Sequence, residues 1–389
     1  MKISQTIKTT VSIIFLACIG ALFALKYSAR VVDNSNWPYF FAALFFLIYI
    51  AIILFLWHLD WSRFSWANNQ RLLLALMAIL TIGAILFVSF SPETSRVSRL
   101  TAMNEWIDRL LAGKYPWSLS VQFDPSGLPF LFIMAMPFYF LGNIGYLEVI
   151  GIILLWVALF TIYTEPRARW LPFSALVLLP MFYYEVIVRS ELLFNLTLII
   201  VLVLLSERYL DVRKMNIQFF GLAILFGLGL STRTIVGLVY AGYYVYKFRQ
   251  QIWHGILFSM FTLVIFGLTL LPFIIWNPNV FFTEGPFFVQ FLHLPLTLAG
   301  LFVIIIVLLA WKALNLREVI FFEGILLFVI VTVAFLSKVA EVGVNSAVLK
   351  DGFDITYFIF SVPFFLLSLG ETSLETDKDG ATGTLLAAR

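Results

Sequence analysis

The sequence predicts an all-α fold, a polytopic transmembrane helical bundle of about twelve spans with an external loop that carries a juxtamembrane helix. Three observations predict it. Of the 389 residues, 62% are apolar and only 12% charged, whereas soluble domains carry roughly a quarter charged. The mean hydropathy is +0.99. The apolar residues fall into runs near the roughly 20 residues that a helix needs to cross a bilayer. The polar connections are short except for one, which leaves no room for a nucleotide-binding fold, a zinc module or a nucleic-acid platform. Nucleic-acid partners are excluded on that ground.

In chain order, the first run covers 9–26 behind Lys2 and Lys8. It has the charge pattern of a signal peptide but no small-x-small cleavage site, so it reads as a retained first span. It contains Cys18, the single cysteine, which excludes an intramolecular disulfide and a Cys-rich metal site and reads as a small apolar residue. Runs at 37–57 and 71–90 follow, then the long loop 91–144. Within it, residues 95–113 place Val97, Leu100, Met103, Trp106, Ile107, Leu110 and Leu111 at helical spacing, an amphipathic helix lying on the membrane and ending at Gly113. Turns at Lys114-Tyr115-Pro116 and Asp124-Pro125-Ser126-Gly127 lead to an apolar stretch at 128–141, too short to span and read as juxtamembrane or re-entrant.

Runs at 145–163, 170–187 and 190–206 come next. Those at 217–231 and 234–247 are short and meet at Ser231-Thr232-Arg233. Such a polar break survives in a membrane only where protein or water satisfies the backbone. Runs at 252–274, 295–311, 318–338 and 353–369 complete the set, and the polar tail 371–389 reads as disordered.

The net charge is +3, but its distribution is the informative part. With the N-terminus inside and twelve spans, fifteen of the 25 lysines and arginines fall on the cytoplasmic side, including Lys8, Arg63, Arg213, Lys247 and Arg317. That bias predicts both termini cytoplasmic and 91–144 outside, in a multi-pass protein of the plasma (inner) membrane.

An ionisable residue in or beside a span is a functional suspect. Glu93 follows the third span in a proline-started turn, where it suits either a general base or a helix cap. Glu105 and Asp108 share a face of the amphipathic helix. Arg189-Ser190-Glu191 occupies a tight hairpin between two spans, and Arg233 sits at the break, where a guanidinium needs an anion: a phosphate suits its planar fork, and an internal pair with Glu191 or Glu185 is the alternative. His58, His254 and His293 are scattered singly, and no HExxH or GxSxG occurs, so hydrolase chemistry of those kinds has no support.

Taken in order, these features resemble the GT-C superfamily of integral-membrane glycosyltransferases. Trp106–Trp117 is similar to the family's surface helix and "G-x-x-PY" turn, and residues 129–142 to its proline-led apolar helix. Ser190-Glu191-Leu192-Leu193 resembles its acidic hairpin, and Gly229-Leu230-Ser231-Thr232-Arg233 its "G-L-x-x-T-K" segment. Pro272-Phe273-Ile274-Ile275-Trp276-Asn277-Pro278 with Phe281 looks like "PFLLWDP". The resemblance covers 71–370 and leaves 1–70 as two additional N-terminal helices. No aspartate occupies the family's usual place before Gly113, so Glu93 stands in for it.

The resemblance implies transfer of a sugar from a polyprenyl-phosphate donor to a glycan, lipid or protein acceptor of the cell envelope. Glu93, Glu105 or Asp108 would be the base, with Arg189, Glu191 and Arg233 at the donor phosphate. No cofactor is expected, and no residue set calls for a divalent metal. The alternatives are a transporter or flippase of a lipid-linked sugar and a non-catalytic scaffold of a polysaccharide assembly complex.

Overall fold

The computed structural model describes residues 3–32, 36–91, 99–117, 126–163, 165–291, 296–349 and 352–369, and every regular element among them is helical. The chain is a helical membrane protein. Six helices are long and apolar enough to cross a bilayer: α1 (Gln5–Ser28), α2 (Trp37–His58), α3 (Gln70–Phe90), α9 (Leu192–Tyr209), α12 (Ile252–Trp276) and α16 (Leu316–Val342). Between α3 and α9 lie α4 (Arg99–Leu111), α5 (Pro129–Phe140), α6 (Tyr146–Ile162), α7 (Pro166–Val177) and α8 (Pro180–Val188). Then come α10 (Ile217–Leu230), α11 (Val236–Phe248), α13 (Pro278–Thr283), α14 (Pro286–Phe291) and α15 (Leu296–Lys312). A 3-10 segment, Ile355–Ser361, runs into α17 (Val362–Ser368).

Most runs start where the sequence places an asparagine or a proline. The side chains of Asn69, Asn216, Asn277 and Asn315 accept first-turn amides of α3, α10, α13 and α16, while prolines open α2, α5, α7 and α8, where the missing N–H costs nothing. The run expected at 170–187 is not one straight helix. Pro180 cannot donate to the preceding turn, so α7 and α8 meet at 61°, and together they make at most a seventh crossing.

The amphipathic helix expected within 91–144 is α4. It buries Leu100, Met103, Trp106 and Ile107 and stops at Gly113, whose φ of +67° only glycine adopts without strain. Trp106 stacks on Phe132 of α5 at 4.1 Å between ring centres, and Trp117 meets Phe273 and Phe281 edge-on. One aromatic cluster thus joins α4, the turn after Gly113, α5, the end of α12 and α13.

The chain turns sort into two ends. At one, Asn143 donates to the Val88 carbonyl at 2.7 Å and Ser89 bonds Tyr146 at 2.9 Å. At the other, Gln5 donates to the Ser368 carbonyl at 3.1 Å, Trp170 to that of Ala67 at 3.0 Å, and Lys247 pairs with Glu207 at 3.2 Å. Lys8, Arg169, Lys247, Arg249 and Arg317 all belong to this second end, through bonds to its turns or ion pairs within it. The largest core cluster runs from Ile13 and Leu16 of α1 to Leu367 of α17, so the two N-terminal helices are packed into the bundle.

Candidate functional site

The break after α10 builds the site. Residues 231–235 leave the helical ladder, and their carbonyls are met by the unsatisfied first-turn amides of α5: Leu128 N donates to Thr232 O and Phe130 N to Ser231 O, both at 3.0 Å. The short proline-led helix therefore does what a membrane break requires, supplying protein donors where water is absent. Ser231 accepts from Thr269 of α12 at 2.7 Å, which fixes the break from its other side.

Arg233 leaves this break fully buried and pairs with Glu191, at the start of α9. The same nitrogen, Nη2, donates to Ser126 Oγ at 3.2 Å, and the guanidinium lies 6.0 Å from the Phe360 ring. Its Nε, also buried, has no acceptor, and Oε2 of Glu191 has no donor. The hairpin and the break, over forty residues apart in sequence, are thus joined by a charge-assisted bond in a low-dielectric interior, where such a bond is strongest.

Arg99 forms a second node beside the first. Although it opens the amphipathic α4, it is turned inward, donating to Ser190 Oγ at 3.0 Å, to Asp354 Oδ2 at 2.6 Å and to Thr356 Oγ1 at 2.6 Å. It also covers the Tyr357 ring at 4.9 Å. Asp354 in turn accepts from the Thr356 amide at 3.0 Å and the Thr356 hydroxyl at 2.6 Å. Ser190 and Glu191 are consecutive, so the α8–α9 hairpin holds both arginines at once.

Arg189 makes the hairpin possible. It is the only non-glycine residue with positive φ among those described, at 54°, a left-handed conformation that ends α8 and that side chains adopt only when the surroundings fix it. Those surroundings are the end of α3, where its Nη2 donates to Val88 O at 3.1 Å and Ser91 O at 2.6 Å. A Cβ on Gly145 would sit 2.8 Å from the Arg189 side chain, so that glycine gives the arginine its space.

Of the residues singled out from sequence, Arg233 and Glu191 are joined directly, and Arg189 stands next to them with its guanidinium turned to backbone carbonyls. Glu105 and Asp108 lie on α4. Asp108 is exposed and accepts from the Tyr139 hydroxyl; Glu105 is half-buried, with Oε2 enclosed and without a donor. Neither bonds to the arginine cluster among the described residues. Glu93 and Asp124 lie outside the described residues, as does the tail 371–389.

Sequence reasoning underrated Arg99, Asp354, Thr356 and Ser126. For Arg99 a signal existed: it shares a helical stripe with Met103 and Trp106, so the apolar face that predicted burial also carried the charge inward. Its partners Asp354 and Thr356, 255 and 257 residues away, left no such signal. No family model, no curated protein and no solved structure matches this chain, so the reading of the site stands on its own residues.

Proposed function

We propose that the protein is a membrane glycosyltransferase that moves a sugar from a polyprenyl-phosphate donor to a glycan, lipid or protein acceptor on the non-cytoplasmic face. The observation that carries this reading is Arg233. It is buried at a break, bonded through one nitrogen, and it keeps Nε without an acceptor, which suits an incoming phosphate oxygen. The reading takes the bundle as about twelve spans of the inner membrane with both termini cytoplasmic, and the end holding Arg233 as external.

In the reaction, a carboxylate on the external loop takes the proton of an acceptor hydroxyl. That role goes to Glu93, with Glu105 or Asp108 as its substitutes. The freed oxygen bonds the anomeric carbon as the carbon–oxygen bond to phosphate breaks, and the electron pair stays on the departing phosphate oxygen. Arg233 stabilises the charge that gathers there.

The test is sugar transfer by the purified full chain in detergent. Glu93→Gln should lose about 10²–10⁴-fold in turnover with donor affinity nearly unchanged, and Arg233→Ala should lose donor binding while Arg233→Lys keeps part of it. Normal turnover in Arg233→Ala refutes the phosphate role. A transporter or flippase is the second reading, favoured by the bare carboxyl groups of Glu148 and Glu185 inside helices; movement of lipid-linked sugar across vesicles without transfer would select it. Donor binding with neither activity would select a scaffold.

A further inference from the structure

Pro180, which bends α8 away from the line of α7 by 61°, also opens a groove in the side of the bundle. Before the bend, α2 is fastened to α7, where the Tyr49 hydroxyl donates to Ala175 O at 2.9 Å. Beyond it, α8 packs on α1 and α3 instead, and a space of about 580 Å³ is left between α1, α2 and α8. Phe23 and Ala24 form its back, Leu44 and Ile48 one rim, Tyr183 and Ile187 the other. Phe23 is buried, whereas the rim residues are 39–48% exposed. The groove takes in the last turns of α1 and the first half of α2, so it lies toward the end of the bundle that holds the arginine nodes. Both of those helices are long and apolar enough to cross a bilayer, and the medium that meets the rims is therefore hydrocarbon.

The polar atoms of the lining are spent within the protein. Ser28 Oγ donates to Leu25 O at 3.2 Å and the Tyr183 hydroxyl to Val177 O at 2.8 Å. Tyr27 and Tyr184 pack ring against ring at 5.1 Å, and their hydroxyls bear on each other. The walls are thus carbon, and they suit an occupant that brings no polar group into the groove. Along α2 the lining runs from Phe41 to Ile48, roughly 10 Å of helix, so the space is short and broad.

We propose that this groove is a structural lipid site that holds the paired acyl chains of one phospholipid from the leaflet at the arginine end. Other occupants match it less well. Two copies of a helical membrane protein approach closely where small residues line the contact, and bulky side chains line both rims here. The chain's own stretches outside the described residues at this end, 33–35 (Asp-Asn-Ser) and 92–98 (Pro-Glu-Thr-Ser-Arg-Val-Ser), are polar. A single isoprenoid chain is long and narrow, whereas this space is short and wide. Filled by acyl chains, the groove braces α8 from the membrane side through dispersion contacts with three helices. That helix leads directly into the hairpin whose Ser190 and Glu191 bond Arg99 and Arg233. The inference is independent of sugar transfer.

The probe is a phosphatidylcholine carrying a photoactivatable diazirine in one acyl chain, added to the delipidated full chain in detergent, with adducts located by peptide mass spectrometry. Adducts are expected at 23–28, 41–48 and 180–187. Ala24→Phe, which fills the back of the groove, should abolish them while leaving adducts on the exposed face of α12 unchanged. Leu44→Trp, on the exposed rim, makes the same test should Ala24→Phe fail to fold. Unlabelled phosphatidylcholine should displace the probe and raise the wild-type melting temperature by roughly 3–8 °C, with no rise in the filled variant. Groove adducts no denser than those on α12, or unmoved by either variant, overturn the site. Displacement by a polyprenyl phosphate but not by phosphatidylcholine, or loss of the adducts on dimerisation, overturns the phospholipid as its occupant.

Discussion

Arg233 can be separated into a structural and a chemical role, because removing one partner of a buried pair leaves the other charge uncompensated, typically at a cost of about 3–5 kcal/mol. Arg233→Ala should therefore lower the melting temperature strongly, and Arg233→Ala/Glu191→Gln should recover much of it by removing the stranded carboxylate. Turnover should not return in the double variant if the guanidinium serves the donor phosphate; recovery of both would reduce the arginine to a fold element. Asp354→Asn should melt below wild type, because it leaves the buried Arg99 guanidinium without its carboxylate; an unchanged melting temperature would contradict that pairing.

At the scale of elements, close helix approach depends on where small residues sit. A Cβ at Gly151 would stand 2.7 Å from the Phe194 backbone, which cannot give as a side chain could. Gly151→Val should force α6 and α9 apart, at a cost of about 3 kcal/mol, and disturb the hairpin that holds both arginines. Gly83 of α3 has nothing within 4 Å of a built Cβ, so Gly83→Ala should be neutral or stabilising by up to about 1 kcal/mol. Melting of the two variants side by side measures the contrast, and equal effects would contradict the packing described. The same logic explains why α5 is short: its task is to present amides to the break, and twelve apolar residues opened by Pro129 and closed before Gly142 are enough to do so.

For the whole molecule, the sorting of chain turns into two ends gives the orientation a physical check. Ser126 bonds Arg233 at one end, and Asn216 caps α10 at its start, the opposite terminus from the break. With Cys18→Ala as background, single cysteines at 126 and 216 should be labelled by impermeant reagents from opposite sides of the membrane, 126 from outside. Labelling of both from the same side would refute the topology. Alternation between the ends also explains why the basic residues gather: a turn translocated with several lysines or arginines is disfavoured, and Lys8, Lys247, Arg249 and Arg317 sit at the end opposite the site.

By itself the sequence determined the class of fold, the amphipathic α4 and its stop at Gly113, the polar break at Ser231-Thr232-Arg233, and the suspicion falling on Glu191 and Arg233. These were legible because hydrophobic periodicity, caps and the cost of a charge in hydrocarbon are local properties of a chain. Tertiary structure alone decided which charge met which. Glu191 and Glu185 were equally open as partners for Arg233, and the fold pairs it with Glu191 while Glu185 stays buried on α8. Arg99 found Asp354 from the far end of the chain, and α5 found the carbonyls of the break. Low dielectric makes every such pairing strong, but nothing in a linear sequence states which buried groups will share the same few ångströms.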